Sequence, residues 1–323
     1  MMQREIRSRK HWKRWGLMHS VQCDQSKKAL RRMGYQFFHP DSSAALKPCL
    51  WCKRSLSGGD QCYKNQFYGI TSHRCVQFTP TLRCNHTCLF CWRSFEHEYT
   101  GEKDLLPQEI VSRIPFLQKK ALGGYKVSPK VTKEKWEEAL QPDQYAISLA
   151  GEPTLYPHLP ELIDLLNQTG GTTFLVSNGT MPDVLKRCHP YQKYISLTAP
   201  DRETYLRIAR PREDYWDQVL ESISCLGHET DAGDRTAIRV TLVRGINDQD
   251  PEGYARIIQE SGAQFVEVKA YMHVGYSQRR LTIKHMPLHD EIEHFTKRML
   301  PHLSYRVLGE NTLSRVICLE RVS

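Results

Sequence analysis

The stretch Val76-Gln-Phe-Thr-Pro-Thr-Leu-Arg-Cys84-Asn-His-Thr-Cys88-Leu-Phe-Cys91 decides how the rest of the chain is read. It opens with a short β-branched run and continues into a loop carrying three cysteines spaced C-x3-C-x2-C. Downstream, further β-branched apolar runs at 145–150, 173–177, 194–198, 237–243 and 265–270 alternate with amphipathic stretches at 107–119, 157–167, 182–187, 202–208, 214–226 and 251–260. In the stretch 157–167, Leu159, Leu162, Ile163, Leu165 and Leu166 recur at helical spacing, and Pro157 or Pro160 suits a first turn. Strand and helix alternating six times predict an α/β fold with a parallel sheet and helices outside it. An eight-fold barrel takes ~250 residues, and only six units are found in a comparable length. An incomplete, TIM-like barrel of about six βα units is therefore expected, with a tail helix at 289–299 and two strand-like runs at 304–308 and 315–319.

Upstream of this region, residues 1–75 read as a helical, loop-rich, cysteine-bearing extension, with 76–323 forming the barrel and its C-terminal addition. The whole chain has 323 residues, 40% hydrophobic and 25% charged, with a net charge of +9. Such a composition supports a full core and excludes a disordered protein. No run approaches the ~18 to 20 apolar residues of a membrane span. The N-terminus is basic without an apolar segment behind it, so neither secretion nor a membrane is expected and a cytoplasmic location is. Of the net charge, +8 falls in the first 50 residues, where 11 basic side chains meet 3 acidic ones. A basic arm that also carries Trp12 and Trp15 suits a polyanion, because cations displace counterions from phosphates and aromatic rings stack on unpaired bases. A solvated helical face is the plainer alternative.

Eight of the 11 cysteines (Cys23, Cys49, Cys52, Cys62, Cys75, Cys84, Cys88, Cys91) lie within the first 91 residues. Clustered cysteines in a chain without a secretion signal point to metal rather than disulfides. Cys188, Cys225 and Cys318 stand alone among apolar neighbours and read as core thiols. Three thiolates at the spacing of Cys84, Cys88 and Cys91 can hold three irons of a [4Fe-4S] cluster and leave the fourth iron open for chemistry. Zinc normally takes four protein ligands, the fourth here having to be His86, His97 or a distant Cys. Cys49, Cys62 and Cys75, each 13 residues from the next, could hold a second cluster with its own open iron. A zinc ribbon that pairs Cys49 with Cys52 is the alternative, and spacing does not choose between the two.

The loop Cys84 to Cys91, with the aromatic Phe90 before its last cysteine, resembles that of the radical S-adenosylmethionine (SAM) superfamily. In that superfamily the open iron chelates SAM, whose reductive cleavage yields a 5′-deoxyadenosyl radical. Ala150-Gly151-Glu152-Pro153 resembles the superfamily's Gly-Gly-Glu motif, which contacts the SAM amino group. Ser177-Asn178-Gly179-Thr180 resembles its element near the SAM carboxylate and ribose. Either stretch standing alone would be a turn. By the same resemblance Ser196 and Thr198 face the ribose. Leu242-Val-Arg-Gly-Ile-Asn247 matches the adenine-contacting motif only loosely, which leaves the adenine contacts unassigned.

The resemblance narrows with Cys49, Cys62 and Cys75 at equal intervals ahead of the SAM loop. Cys62-Tyr-Lys64, Phe67-Tyr-Gly-Ile70, Ser72-His-Arg-Cys75, Ser148-Leu-Ala-Gly-Glu-Pro153 and Lys269-Ala-Tyr-Met-His-Val-Gly-Tyr276 are similar to the corresponding segments of tRNA 4-demethylwyosine synthases. That resemblance runs from about Cys49 to the C-terminus. It implies two [4Fe-4S] clusters and SAM as cofactors, and 1-methylguanosine beside the anticodon of phenylalanine tRNA as substrate. Pyruvate is the second substrate, contributing two carbons to the new ring while its carboxylate carbon is lost. It further implies that the second cluster binds pyruvate and that Lys64 forms a Schiff base with its keto group, which requires a deprotonated amine. The alternative for Lys64 is a solvated lysine. Eukaryotic relatives carry a flavodoxin-like domain for which this length leaves no room. The archaeal-type form, with a separate donor of ferredoxin or flavodoxin type, is thus expected. Cys23 and Cys52 have no role in the pattern beyond buried thiols or, for Cys52, a spare ligand. Two other functions compete: a methylthiotransferase-like RNA-modifying enzyme, which also carries three upstream cysteines, and a zinc-dependent RNA-binding protein without SAM affinity.

Overall fold

The computed structural model describes residues 27–95 and 103–322. Trp12, Trp15, Cys23 and His97 lie outside the described residues. Ten strands form one sheet: β1 Gln36–Phe37, β2 Ala45–Leu46, β3 Cys75–Thr79, β4 Gln144–Ile147, β5 Thr172–Ser177, β6 Gln192–Leu197, β7 Arg235–Leu242, β8 Phe265–Ala270, β9 Tyr305–Asn311 and β10 Val316–Arg321. Their order is β1-β2-β3-β4-β5-β6-β7-β8-β10-β9. The six strands β3 to β8 pair in parallel, while β1 and β2 on one side and β10 and β9 on the other are antiparallel additions. The sheet does not close on itself, so the expected incomplete barrel of six βα units is found. Among the described residues no helix is long and apolar enough to cross a membrane.

The parallel strands form where β-branched and aromatic residues cluster, because such side chains fit a pleated surface buried on both faces. Residues on one face bury against helices. Leu159, Leu162, Ile163 and Leu166 of the helix Leu159–Gln168 are all fully buried in the main core, each contributing roughly 1.5–3 kcal/mol. The expected helix 214–226 is two helices, Trp216–Ser224 and Leu226–Asp231, which meet at Cys225.

The opposite faces point into the barrel. Cys75 and Gln77 of β3, Ala146 of β4, Val176 of β5, Ser196 of β6, Arg239 and Thr241 of β7 and Lys269 of β8 line its interior, as period-2 alternation requires. Phe67, Tyr68 and Ile70 pack on Phe174, Tyr194, Ala237 and Phe265, which lie in the first halves of β5 to β8. The segment between Cys62 and Cys75 therefore covers the amino-terminal end of the barrel. The two antiparallel strands β1 and β2 are new relative to the sequence reading, since two-residue strands are too short to show a period.

Candidate active site

One cavity of about 490 Å³ runs through the barrel. It is lined by all 13 residues singled out in the sequence: Cys84, Cys88, Cys91, Phe90, Gly151, Glu152, Ser177, Asn178, Ser196, Cys49, Cys62, Cys75 and Lys64. Cys75 is the first residue of β3 and Cys84 follows its carboxyl end. Four strand steps of ~3.3 Å, plus the loop, therefore separate the two cysteine triads. They sit at opposite ends of one interior.

At the carboxyl end, the cysteine loop is clamped on both sides. Thr87 N donates to Ala209 O at 3.1 Å and Leu89 N to Ile208 O at 2.9 Å. These acceptors belong to the end of the helix Arg202–Ala209, which closes on Arg210 in the left-handed region at φ 47°. From the other side Arg280 donates to the carbonyls of Leu89 (3.1 Å), Cys91 and Arg93. His86 is buried, with Nε2 2.9 Å from the Tyr205 hydroxyl. Burial, assisted by Arg93, lowers its pKa to about 4. Its Nδ1 lies 3.9 Å from Cys88 Sγ.

The two turn motifs lock onto this loop and onto each other. Gly151 has φ +78°, and a Cβ there would lie 2.3 Å from Thr81 O and 2.9 Å from Arg83 O, so only glycine fits. Glu152 Oε1 accepts from the Ser177 hydroxyl (2.8 Å) and from Thr154 N and Oγ1 (3.1 and 2.8 Å), and Oε2 accepts from Asn178 N (2.7 Å). Burial pushes its carboxyl pKa up against these four hydrogen bonds. Asn178 Nδ2 donates to Asn85 Oδ1 at 2.8 Å, and Asn85 Nδ2 to Thr180 Oγ1 at 2.8 Å, which ties the third motif to the residue after Cys84. Asn247, from the loosely matching stretch, is buried and bonds Val243 N, Thr198 O and Thr241 O. It fastens the ends of β6 and β7 together.

The other end of the cavity draws its cysteines from three places. Cys49 and Cys62 precede the helices Leu50–Leu56 and Tyr63–Tyr68, and Cys75 begins β3. Cys52 does not line the cavity; it is buried with Leu56, Leu122 and Ala139 and is a core thiol. Cys188 and Cys318 are core thiols too, whereas Cys225 is partly exposed. Ser55 Oγ is 3.1 Å from His73 Nδ1, and His73 Nε2 is 2.6 Å from Glu138 Oε2, so this chain of contacts braces the segment that leads into Cys75.

Lys64 lies within this end, its ammonium 4.2 Å from the Phe174 ring centre and 4.4 Å from that of Tyr194. Burial first, then Arg239, lowers its pKa to about 8. Sequence reasoning assigned no role to the charges around it, Arg239, Glu267 and Lys269. Their signal was there: Glu267 and Lys269 stand two apart in an otherwise β-branched run, which puts both on the inward face.

The donor set suits iron-sulfur chemistry at both ends. Three thiols face the cavity at each, and a [4Fe-4S] cluster takes one thiolate per iron. Among the described residues no three Cys, His, Asp or Glu side chains are grouped tightly enough to share a single metal ion. Burial pushes the Cys84 and Cys62 thiols up to about 11, so a cluster bound there would release their protons.

A three-cysteine loop at the carboxyl end of the first parallel strand, facing glycine-glutamate and serine-asparagine turns across one cavity, defines a radical SAM enzyme. Residues 78–258 match the radical SAM superfamily and residues 260–321 match the wyosine base formation family. The S-adenosyl-L-methionine-dependent tRNA 4-demethylwyosine synthase of Pyrococcus horikoshii is 44% identical over 292 residues, 86% of this chain and 84% of that protein. Its counterpart in Methanocaldococcus jannaschii is 39% identical over 91% of this chain and 94% of that one. A solved structure of TYW1 with a lysine-pyruvate adduct bound has a TM-score of 0.83 and 38% identity, covering 91% of this chain and 95% of that one. The chain belongs to the SAM-dependent tRNA 4-demethylwyosine synthases, radical SAM enzymes that use SAM and a [4Fe-4S] cluster.

Proposed function

We propose that this enzyme condenses 1-methylguanosine in phenylalanine tRNA with pyruvate to form 4-demethylwyosine. The observation that carries this reading is that both cysteine triads and Lys64 line one continuous cavity. In it Cys84, Cys88 and Cys91 hold the SAM cluster, and Cys49, Cys62 and Cys75 hold a second [4Fe-4S] cluster. Gly151, Glu152, Ser177, Asn178, Ser196 and Phe90 seat SAM between the first cluster and the barrel centre. When bound, the cluster and SAM supply the one-electron chemistry that removes hydrogen from the N-methyl group of the base. A methylated guanine in an anticodon loop is unpaired and can be splayed out into a barrel mouth. The electron comes from a separate donor of ferredoxin or flavodoxin type.

Lys64 is the residue that binds pyruvate covalently. Its nitrogen bonds to the keto carbon, and the carbonyl oxygen leaves as water with the two amine protons. A lowered lysine pKa supplies the free amine for this attack, and the lysine-pyruvate adduct of the TYW1 structure supports it. The test is reduction of the reconstituted enzyme with borohydride in the presence of pyruvate, followed by intact mass and peptide mapping. A reduced pyruvate adduct on Lys64 is expected. An adduct on another residue, or none, overturns the assignment.

A further inference from the structure

At the second triad's end of the cavity, three cationic side chains surround one carboxylate. Glu267 is fully buried. Its Oε2 accepts from the Tyr63 hydroxyl at 3.0 Å and from Arg239 at 3.1 and 3.0 Å, and its Oε1 accepts from the Tyr68 hydroxyl at 3.0 Å. Arg239 is committed to this carboxylate and to the Tyr63 hydroxyl at 3.2 Å. The hydrogen bonds of this anion are thus taken up by one guanidinium and two phenols; it acts on Lys64 and Lys269 only through space, as the Cys62 thiol does, so three cations share one carboxylate. Among the described residues no acceptor lies within hydrogen-bonding distance of the Lys269 ammonium, which stands 5.4 Å from the ring centre of Tyr63 and opens on the cavity. An interior cation costs free energy unless an anion pairs with it. This end of the cavity is therefore built to receive a negatively charged group.

We propose that Lys269 is the carboxylate anchor for the keto acid that Lys64 attacks. The inference rests on the pyruvate reading above and extends it. In an α-keto acid the carboxylate is one bond from the carbon that Lys64 attacks, so its anchor must stand beside Lys64. Lys269 lines the same cavity as Lys64, and both ammonium groups lie in the field of Glu267 and Cys62. It also projects from β8, where pairing with Thr241 of β7 fixes its backbone, whereas Lys64 rides on the short helix Tyr63–Tyr68. One lysine thus supplies the nucleophile and the other, held on the sheet, the ammonium that orients the ketone and selects acids over neutral ketones.

The experiment measures borohydride-trapped adduct on the reconstituted holoenzyme against the concentration of pyruvate and of methyl pyruvate, its uncharged ester. For K269Q the half-saturating pyruvate concentration is expected to rise roughly 10- to 100-fold, the range for losing a hydrogen bond between charged groups, while that for methyl pyruvate stays within about twofold. K269R, which keeps the charge, is expected to recover most of the discrimination. Should K269Q not fold, K269M carries the same comparison, with iron content measured for each variant. Equal losses for acid and ester mean a structural role and overturn the proposal, as does unchanged pyruvate dependence. Trapping that survives K64R and maps to Lys269 also overturns it, by exchanging the two roles. Absence of any adduct in the unmodified enzyme overturns the keto-acid reading itself, whereas a wild-type adduct with an unaltered K269Q profile overturns only the role of Lys269.

Discussion

The two cysteine triads share a cavity and a ligand type, yet they are built in different ways. Cys84, Cys88 and Cys91 lie on one eight-residue loop held by backbone carbonyls of 208–210 and by Arg280. Cys49, Cys62 and Cys75 come from two helix starts and a strand start, and are brought together by contacts distant in sequence: Ser55 with His73, His73 with Glu138, Tyr63 with Glu267, Gln66 with Glu310. In the first triad chain spacing sets the ligand geometry. In the second the geometry exists only after the barrel is assembled. A local site survives tertiary damage that a dispersed site does not.

Replacing Cys84, Cys88 and Cys91 together by alanine strikes this contrast hardest. SAM cleavage is expected to be abolished, with iron falling from about eight to about four per chain after anaerobic reconstitution. Retention of about four irons would establish the dispersed triad as an independent site, and retention of none would mean that it holds no cluster of its own. Next in size is K64R, for which product and trapped adduct are expected to vanish while 5′-deoxyadenosine is still produced. Chromatography of both products checks that separation. Glu267→Ala removes the partner of a buried guanidinium and is expected to cost ~3–5 kcal/mol in denaturant unfolding. Iron at the second triad is expected to fall with it while the first triad keeps its own.

A smaller effect is expected from pH. With Lys64 near 8, its amine is protonated below that value and free above it, so at saturating pyruvate the initial rate of adduct trapping should rise about tenfold per unit up to pH 8 and then level off, while the pyruvate needed for saturation rises above pH 8 as Lys269, also lowered to about 8 by burial and Arg239, loses its charge. A flat profile from pH 6.5 to 9 would count against Lys64 as the nucleophile. The least change belongs to Glu138→Gln, since Glu138 is half exposed and a pair of that kind contributes about 1 kcal/mol or less. Both clusters should survive, and loss of the second would reveal an unusually rigid brace.

How much of this was legible in the sequence follows the same division. All six parallel strands were visible as β-branched runs, and 265–270 coincides with β8. β7 begins at Arg235, two residues before its apolar run, because the Arg235 guanidinium packs over the rings of Tyr68, Tyr191 and Phe265. A charge stabilised by aromatic faces is invisible to hydropathy. The loop from Cys84 to Cys91 was read from its cysteine spacing, its place after a strand and the aromatic Phe90. Cys52 could not be separated from the ligands by spacing, since only its direction into the Leu56 and Leu122 cluster shows that it is core. Arg239, Glu267 and Lys269 looked like interruptions of strand propensity. Their meaning depends on which face of each strand turns inward, and that is set by the barrel as a whole.

The dispersed triad also orders events during synthesis. The helix between Cys62 and Cys75 is fastened by Tyr63 to Glu267, 204 residues later, by Gln66 to Glu310, 244 later, and by Tyr68 to Cys318, 250 later. None of these partners has left the ribosome when the cysteines emerge, and contacts of such separation form late. The thiols of Cys49, Cys62 and Cys75 therefore wait, open to oxidants, until nearly the last strand has been made. A chain truncated before β8 would lack all three of these partners, while its loop from Cys84 to Cys91 would be whole.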